Sequence, residues 1–327
     1  MRTIDWNDGA VVIVDQTALP GETVLLRLST VESLVDSVRR LAVRGAPALG
    51  VAGAMGVALA ARQHAGDAEA LSQAVRQIAT ARPTAVNLAR GAHRAAALLP
   101  DPEAVLAEAL RVRDGEMASS VAMARLGADL VTELCGERPT LLTHCNTGAL
   151  ATVTGGTALA VVFELHRRAA LAGVVASETR PLLQGARLTA WELGNAGVPF
   201  RLAVDGAGPF LMARGQVDAV ILGADRICAN GDVINKVGSY AHALGARAAG
   251  IPFICVAPES TVDMATPSGD AVEIEDRGPS EVVSFAGMPV APLGAAAANP
   301  AFDITPHELV TAIVTDQRVI RRGQPLR

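Results

Sequence analysis

Thr140-Leu-Leu-Thr-His-Cys-Asn-Thr-Gly148 and Ala219-Val-Ile-Leu-Gly-Ala-Asp-Arg226 decide the fold. Each opens as a short apolar run with no polar alternation and closes abruptly in reactive side chains. Three further stretches share the form. Residues 173–175 run into Ser177-Glu178-Thr179-Arg180-Pro181, residues 200–204 into Asp205-Gly206, and residues 253–256 into Ala257-Pro258-Glu259-Ser260-Thr261. Continuous apolar runs spaced by helical stretches are the pattern of a parallel sheet covered on both faces. Ligands of open parallel sheets bind beyond the carboxyl ends of the strands, and here those ends hold the polar chemistry. The pattern predicts an α/β fold with a Rossmann-like, doubly wound parallel-sheet domain over 118–327, entered through a helix over 118–134.

Upstream the periodicity changes. Residues 3–6, 10–15 and 24–28 read as short strands between turns. Helical spacing holds over 31–42, 47–64, 68–81, 85–99 and 102–113. An N-terminal, mainly helical domain with short strands is therefore expected over 1–117, and 327 residues suit two domains. The uncharged run 45–61 consists mainly of Gly and Ala and contains Pro47. A membrane helix needs ~20 strongly apolar residues, so the run reads as a helix buried among helices, and no membrane association is expected.

Half the residues are apolar and only 3 % are aromatic, so the core is aliphatic. A net charge of −5 with interspersed signs argues against a nucleic-acid partner. Cys135, Cys145, Cys228 and Cys255 form no CxxC pair and follow no signal peptide, which reads as free thiols in a reducing cytoplasm.

The chemistry concentrates in a few places. Lys236 is the single lysine among 28 basic residues, and it lies in the polar stretch 223–240 close to the only tyrosine, Tyr240. An ammonium is a compact point charge with three donors, suited to one phosphate in a tight pocket. Arg44-Gly45-Ala46-Pro47 opens a helix whose first amides, with Arg44, make an anion site. Cys145 follows an apolar run, where a helix N-terminus would favour its thiolate. Asp225 ends another run, where partial desolvation would suit a general acid. Cys228 and Cys255 read as small buried hydrophobes. No metal site is expected, since His144 and Cys145 lack distant partners at zinc spacing. Dinucleotide, P-loop and G-x-S-x-G templates all fail, so neither a nucleotide cofactor nor serine hydrolysis is expected.

Six stretches together resemble the methylthioribose-1-phosphate isomerases, an aldose-ketose isomerase family related to the regulatory subunits of initiation factor 2B. They are VRGAPALG (43–50), RPTAVNL (82–88), LTHCNTGALAT (142–152), SETRPLLQGARLTAWEL (177–193), GADRICANGDVINKVGSY (223–240) and NPAFDITPHELVTAIVT (299–315). The resemblance implies Cys145 and Asp225 as the catalytic pair. It implies Arg44, Gly45, Ala46, Arg82, Gln184, Asn235 and Lys236 as substrate contacts. It also implies a cofactor-free homodimer with a helical N-terminal domain and a Rossmann-like C-terminal domain. Two positions depart from the family pattern: Ala89-Arg90, where an aromatic is usual, and Asp205-Gly206-Ala207-Gly208-Pro209.

The implied activity converts 5-methylthioribose 1-phosphate into 5-methylthioribulose 1-phosphate in methionine salvage. Asp225 would protonate the ring oxygen, and Cys145 would act as a base or assist a hydride shift. Two alternatives stay open: an isomerase of 5-deoxyribose 1-phosphate or ribose 1,5-bisphosphate, and a non-catalytic, sugar-phosphate-sensing regulatory subunit. The latter class generally lacks the Cys-plus-Asp pair.

Overall fold

The computed structural model describes residues 2–83, 85–285 and 287–326. The chain divides into two compact units, residues 1–124 with 146–160, and residues 125–145 with 161–327.

In the first unit, β1 (Ile4–Asn7), β2 (Ala10–Val14) and β3 (Leu25–Leu28) form an antiparallel meander. It is followed by α1 (Val31–Arg39), α2 (Ala46–Gln63), α3 (Ala68–Ala79), α4 (Val86–Ala96) and the first part of α5 (Pro102–Cys135). Polar caps set the starts of three of these helices: Thr30 accepts from the Ser33 amide, Asp67 from the Ala70 amide and Asp101 from the Glu103 and Ala104 amides. Buried almost throughout, α2 meets α4 backbone to backbone. A Cβ on Gly91 would lie 1.9 Å from the Gly50 carbonyl oxygen, and one on Gly53 2.2 Å from that of Leu88. That approach explains a run of Gly and Ala too small-sided for a membrane span. Among the described residues no helix is long and apolar enough to cross a membrane.

The expected break between helices over 102–113 and 118–134 does not occur, because α5 is one helix of 34 residues. Gly115 sits in open space, and a solvent-facing glycine costs a helix only about 1 kcal/mol. The 117/118 division expected from the sequence lies inside this helix.

The second unit is built on strands β4 (Thr140–Thr143), β5 (Gly173–Ser177), β6 (Phe200–Ala203), β7 (Ala219–Leu222), β8 (Arg226–Cys228) and β9 (Val233–Lys236). They are followed by β10 (Phe253–Val256), β11 (Val262–Asp263), the small hairpin β12 (Ser284–Phe285) and β13 (Met288–Pro289), β14 (Phe302–Thr305), β15 (Ala312–Val314) and β16 (Val319–Arg321). Its helices include α6 (Ala158–Arg167), whose first residues belong to the other unit, then α7 (Ala190–Asn195), α8 (Ala207–Ala213), α9 (Ser239–Ala249) and α10 (Ser280–Val283).

The main sheet has seven strands in the order β16-β15-β10-β7-β4-β5-β6, parallel except for β16. All five apolar runs lie in it. From β4 the chain adds β5 and β6 on one side, then crosses to add β7, β10 and β15 on the other. The strand order therefore reverses between β4 and β7, which is where doubly wound sheets bind ligands. A second sheet, β11-β8-β9-β14, was not expected from the sequence. Its strands hide inside the polar stretch 223–240, in 262–263 and in 302–305, each of them too short to show a strand.

Candidate active site

Cys145 and Asp225 stand just past the carboxyl ends of β4 and β7, the two neighbouring strands at the reversal. Leu142 is in register with Val220, so both residues leave the same edge of the sheet. Thr143 and His144 carry the chain out of β4 into Cys145, which is buried and has φ +63°. A left-handed backbone at a non-glycine residue is strained and needs its surroundings to hold it. Here the Cys145 amide donates to Thr179 Oγ1 at 2.8 Å, and its carbonyl accepts from Thr189 Oγ1 at 2.7 Å.

Thr179, itself at φ +66°, is held in turn. Asp205, beyond β6, accepts from the Thr179 amide at 2.8 Å, the Arg180 amide at 2.7 Å and Ser177 Oγ. Burial pushes the Asp205 carboxyl up, but these hydrogen-bond donors outweigh it and leave the pKa below the usual carboxylate value. The ends of β4, β5 and β6 are thus knitted together, and the knot presents Cys145. The sequence does not single out Thr179 or Thr189, because a threonine at a strand end is common and its partner is distant in the chain.

Two expected supports for the pair are corrected. No α-helix begins directly after Cys145: a single 3-10 turn, Ala149–Ala151, follows, and α6 starts at Ala158. A helix N-terminus directly following Cys145 is therefore not what would activate its thiol. Asp225 is exposed rather than partly desolvated, because the chain turns outward from β7 into β8 with the Asp225 amide donating to the Ile234 carbonyl at 2.9 Å. Cys255, by contrast, is fully enclosed, and burial pushes its thiol up to about 12, which suits an inert core residue.

Gln184 lies ahead of a π-type turn, Gly185–Thr189, and its buried Oε1 has no hydrogen-bond partner among the described residues. Such an atom normally finds one, which marks it as a place for a ligand donor. Asn235 and Lys236 end β9, both buried. Asn235 donates to Ser239 Oγ at 2.8 Å. Lys236 Nζ donates to the Ala301 carbonyl at 2.6 Å and lies 4.7 Å from the centre of the Phe302 ring.

In the first unit, Arg44 precedes α2 and donates to Gln16 Oε1 at 3.1 Å, to the Asn146 carbonyl at 3.2 Å and to Asn146 Oδ1. Asn146 is the residue after Cys145 in the chain. Gly45 caps α2 at φ +97°, and a Cβ there would lie 2.5 Å from the Ala151 backbone, so glycine is required. As N-cap, Gly45 offers α2 no side-chain cap, and Ala46 opens the helix with Pro47 after it. Half-buried Arg82 begins the 82–88 stretch; Thr84 within it lies outside the described residues. Among the described residues no three His, Cys, Asp or Glu side chains cluster as a metal site requires.

The departure at 205–209 has a packing cause. A Cβ on Gly208 would lie 2.5 Å from the His242 ring, and one on Gly245 2.9 Å from Pro209. This segment joins α8 to α9.

A model of the Initiation factor 2 subunit family matches residues 42–321. A probable bifunctional methylthioribose-1-phosphate isomerase/methylthioribulose-1-phosphate dehydratase of Nocardia farcinica is 51 % identical over 98 % of this chain, which spans 60 % of that longer protein. A 5-deoxyribose 1-phosphate isomerase of Moorella thermoacetica is 49 % identical, covering 97 % of this chain and 93 % of its own. The crystal structure of 5-methylthioribose 1-phosphate isomerase from Pyrococcus horikoshii superposes with a TM-score of 0.92 at 38 % identity, over 99 % of this chain and 93 % of that one. Sequence, topology and strand-end residues agree: the chain belongs to the Initiation factor 2 subunit family, among its methylthioribose-1-phosphate isomerase-like members.

Proposed function

We propose that the protein isomerises 5-methylthioribose 1-phosphate to 5-methylthioribulose 1-phosphate, a step of methionine salvage. The observation that carries the reading is the placement of Cys145 and Asp225 beyond adjacent strands at the order reversal of the sheet, in a chain whose relatives bear this activity's name. Phosphate on the anomeric oxygen prevents simple opening to a free aldehyde. Asp225 supplies a proton to the ring oxygen, which becomes the C4 hydroxyl as the C1–O bond breaks. One hydrogen then moves from C2 to C1, and the C2 hydroxyl loses its proton to leave the ketone. The reaction is redox-neutral and uses no cofactor in this scheme.

Cys145 serves that transfer in one of two ways. It takes the C2 proton and returns it to C1, or it lines the path of a direct hydride shift. Turnover in deuterated water separates them, because only the first route places solvent deuterium at C1. Arg44, Gly45, Ala46 and Arg82 are assigned to the phosphate and sugar, as are Gln184, Asn235 and Lys236. A homodimer in the cytoplasm completes the proposal. Its support is the exposed apolar edge strand β6, where Phe200, Leu202 and the following Val204 face solvent, together with four free thiols.

The Moorella relative favours one second reading, 5-deoxyribose 1-phosphate as substrate. Kinetics on the methylthio sugar, the deoxy sugar and ribose 1,5-bisphosphate in parallel decide the matter. The proposal expects the highest kcat/KM for the methylthio sugar. A higher value for either of the others reassigns the substrate, and no turnover of any leaves only a regulatory role.

A further inference from the structure

The peptide unit between Val237 and Gly238 is gripped on both sides. Its carbonyl accepts from His144 Nε2 at 2.8 Å, and its N–H donates to Asp303 Oδ2 at 2.7 Å. His144 immediately precedes Cys145 at the end of β4, whereas Asp303 lies on β14, in register with Asn235. The gripped peptide lies one residue beyond Lys236. We propose that His144 and Asp303 are positioning residues that clamp this peptide and so set Asn235 and Lys236 relative to Cys145, a role that rests on the function proposed above.

Each jaw of the clamp is determined by its chemistry. A carbonyl can only accept, so His144 carries its proton on Nε2 and leaves Nδ1 as an acceptor. His242 Nε2 sits 3.3 Å from that Nδ1 and donates to it. The chain of donors runs from His242 to His144 to Val237, and it holds the His144 ring in one orientation. His144 is fully enclosed, and burial lowers its pKa, so the neutral tautomer that the clamp needs is the favoured one.

On the other side, Asp303 Oδ2 also accepts from the Tyr240 amide at 3.1 Å. One carboxylate oxygen thereby ties both the peptide and the first turn of α9. Gly238 stands at φ +106°, and a Cβ there would lie 2.9 Å from the His144 ring, so only glycine lets the imidazole reach the carbonyl. The residue just before β14 completes the hold, since the Ala301 carbonyl accepts from both Lys236 Nζ at 2.6 Å and the Val237 amide at 3.3 Å. Neither His144 nor Asp303 is assigned a contact with the sugar, and both act through the residues that are.

Asp303→Ala with Asp303→Asn, and His144→Leu with His144→Gln, test the clamp. Asn keeps an acceptor for the two amides, and Gln keeps a donor where Nε2 stands, so each second variant is the rescue. Two quantities are read in the full-length protein: hydrogen exchange of the Gly238 and Tyr240 amides, and KM against kcat for the sugar 1-phosphate. Loss of a hydrogen bond to a charged group in Asp303→Ala should speed exchange at both amides by about tenfold or more. KM should rise by a similar factor while kcat falls less, and Asp303→Asn should recover most of both. His144→Leu should likewise raise KM, with Gln recovering it. Should His144→Leu fail to fold, the Asp303 pair decides alone.

Unchanged exchange at Gly238 in Asp303→Ala overturns the clamp. Faster exchange with an unmoved KM overturns the positioning role, leaving Asp303 a helix cap only. If the wild type turns over none of the three sugar phosphates, the function reading fails by that result, and the exchange measurement still decides whether the peptide is clamped.

Discussion

At the scale of single residues, the candidate site holds groups whose chemistry no near neighbour reproduces. Lys236 is enclosed at 9 % exposure, with Nζ on the Ala301 carbonyl and the Phe302 ring beside it. A guanidinium is planar, longer and fixed in its donor geometry, so it cannot occupy this slot as a point charge. Lys236→Arg should therefore keep the charge and still lose about ten- to a hundredfold in kcat/KM, since a displaced charge-assisted contact is worth ~1.5–3 kcal/mol. Wild-type kinetics in this variant would make Lys236 a leftover of an arginine-rich composition. The uniqueness of Lys236 is visible in the sequence, and so are Cys145 and Asp225 at the ends of apolar runs. The partners that hold them are not. Thr179, Thr189 and Asp303 are ordinary residues whose meaning comes from bonds spanning 34, 44 and 65 positions of chain.

At the scale of elements, close packing and buried titratable groups give the sharpest tests. A methyl group on Gly91 meets the Gly50 carbonyl oxygen at 1.9 Å, which α2 and α4 can relieve only by moving apart. Gly91→Ala should destabilise by about 3 kcal/mol or more in denaturant titration, whereas Gly115→Ala, in open space on α5, should stabilise by roughly 0.5–1 kcal/mol. Equal effects would mean that α2 and α4 do not touch through their backbones. On α9, burial lowers the His242 pKa to about 3 from 6.5. The unfolded chain then binds a proton that the folded one refuses, so this residue's contribution is present above about pH 6.5 and lost as pH falls toward 3. Asp303 on β14 has the opposite sign. Burial raises its carboxyl to about 6 from 3.8, despite the Tyr240 and Gly238 amides and Lys236, so its contribution is present at low pH and lost as pH rises through that window. Relative to wild type, His242→Asn should gain stability as pH is lowered from 6.5 to 4.5, and Asp303→Asn should gain as pH is raised from 4 to 6. Denaturation midpoints across that range measure both, with slopes of at most about 1.4 kcal/mol per pH unit; differences that do not change with pH would contradict the two burial arguments.

At the scale of the whole molecule, the sheet topology joins sequence to function. The five apolar runs announced a parallel sheet with reactive ends, and the strand order β16-β15-β10-β7-β4-β5-β6 puts the reversal between the run leading to Cys145 and the run leading to Asp225. Strand order is a property of long-range pairing, which local patterning does not encode. The second sheet was illegible for a related reason: Val233–Lys236 spends half its length on Asn and Lys, and its pairing with Arg226–Cys228 on one side and Phe302–Thr305 on the other makes it a strand. The continuity of α5 is not legible in the sequence, because a glycine in solvent looks like a stop and costs a long helix little. The placement of Cys145 and Asp225 across the reversal is the central claim, and it requires them to act on one substrate as one unit. The most direct measurement is kcat for Asp225→Asn, Cys145→Ser and the double variant on 5-methylthioribose 1-phosphate, with folding checked by thermal denaturation. The account predicts that each single change lowers kcat by about 10²–10⁴-fold and that the double variant is little worse than either. A loss below about tenfold for Asp225→Asn, or a double variant whose loss is the product of the two single losses, would contradict it.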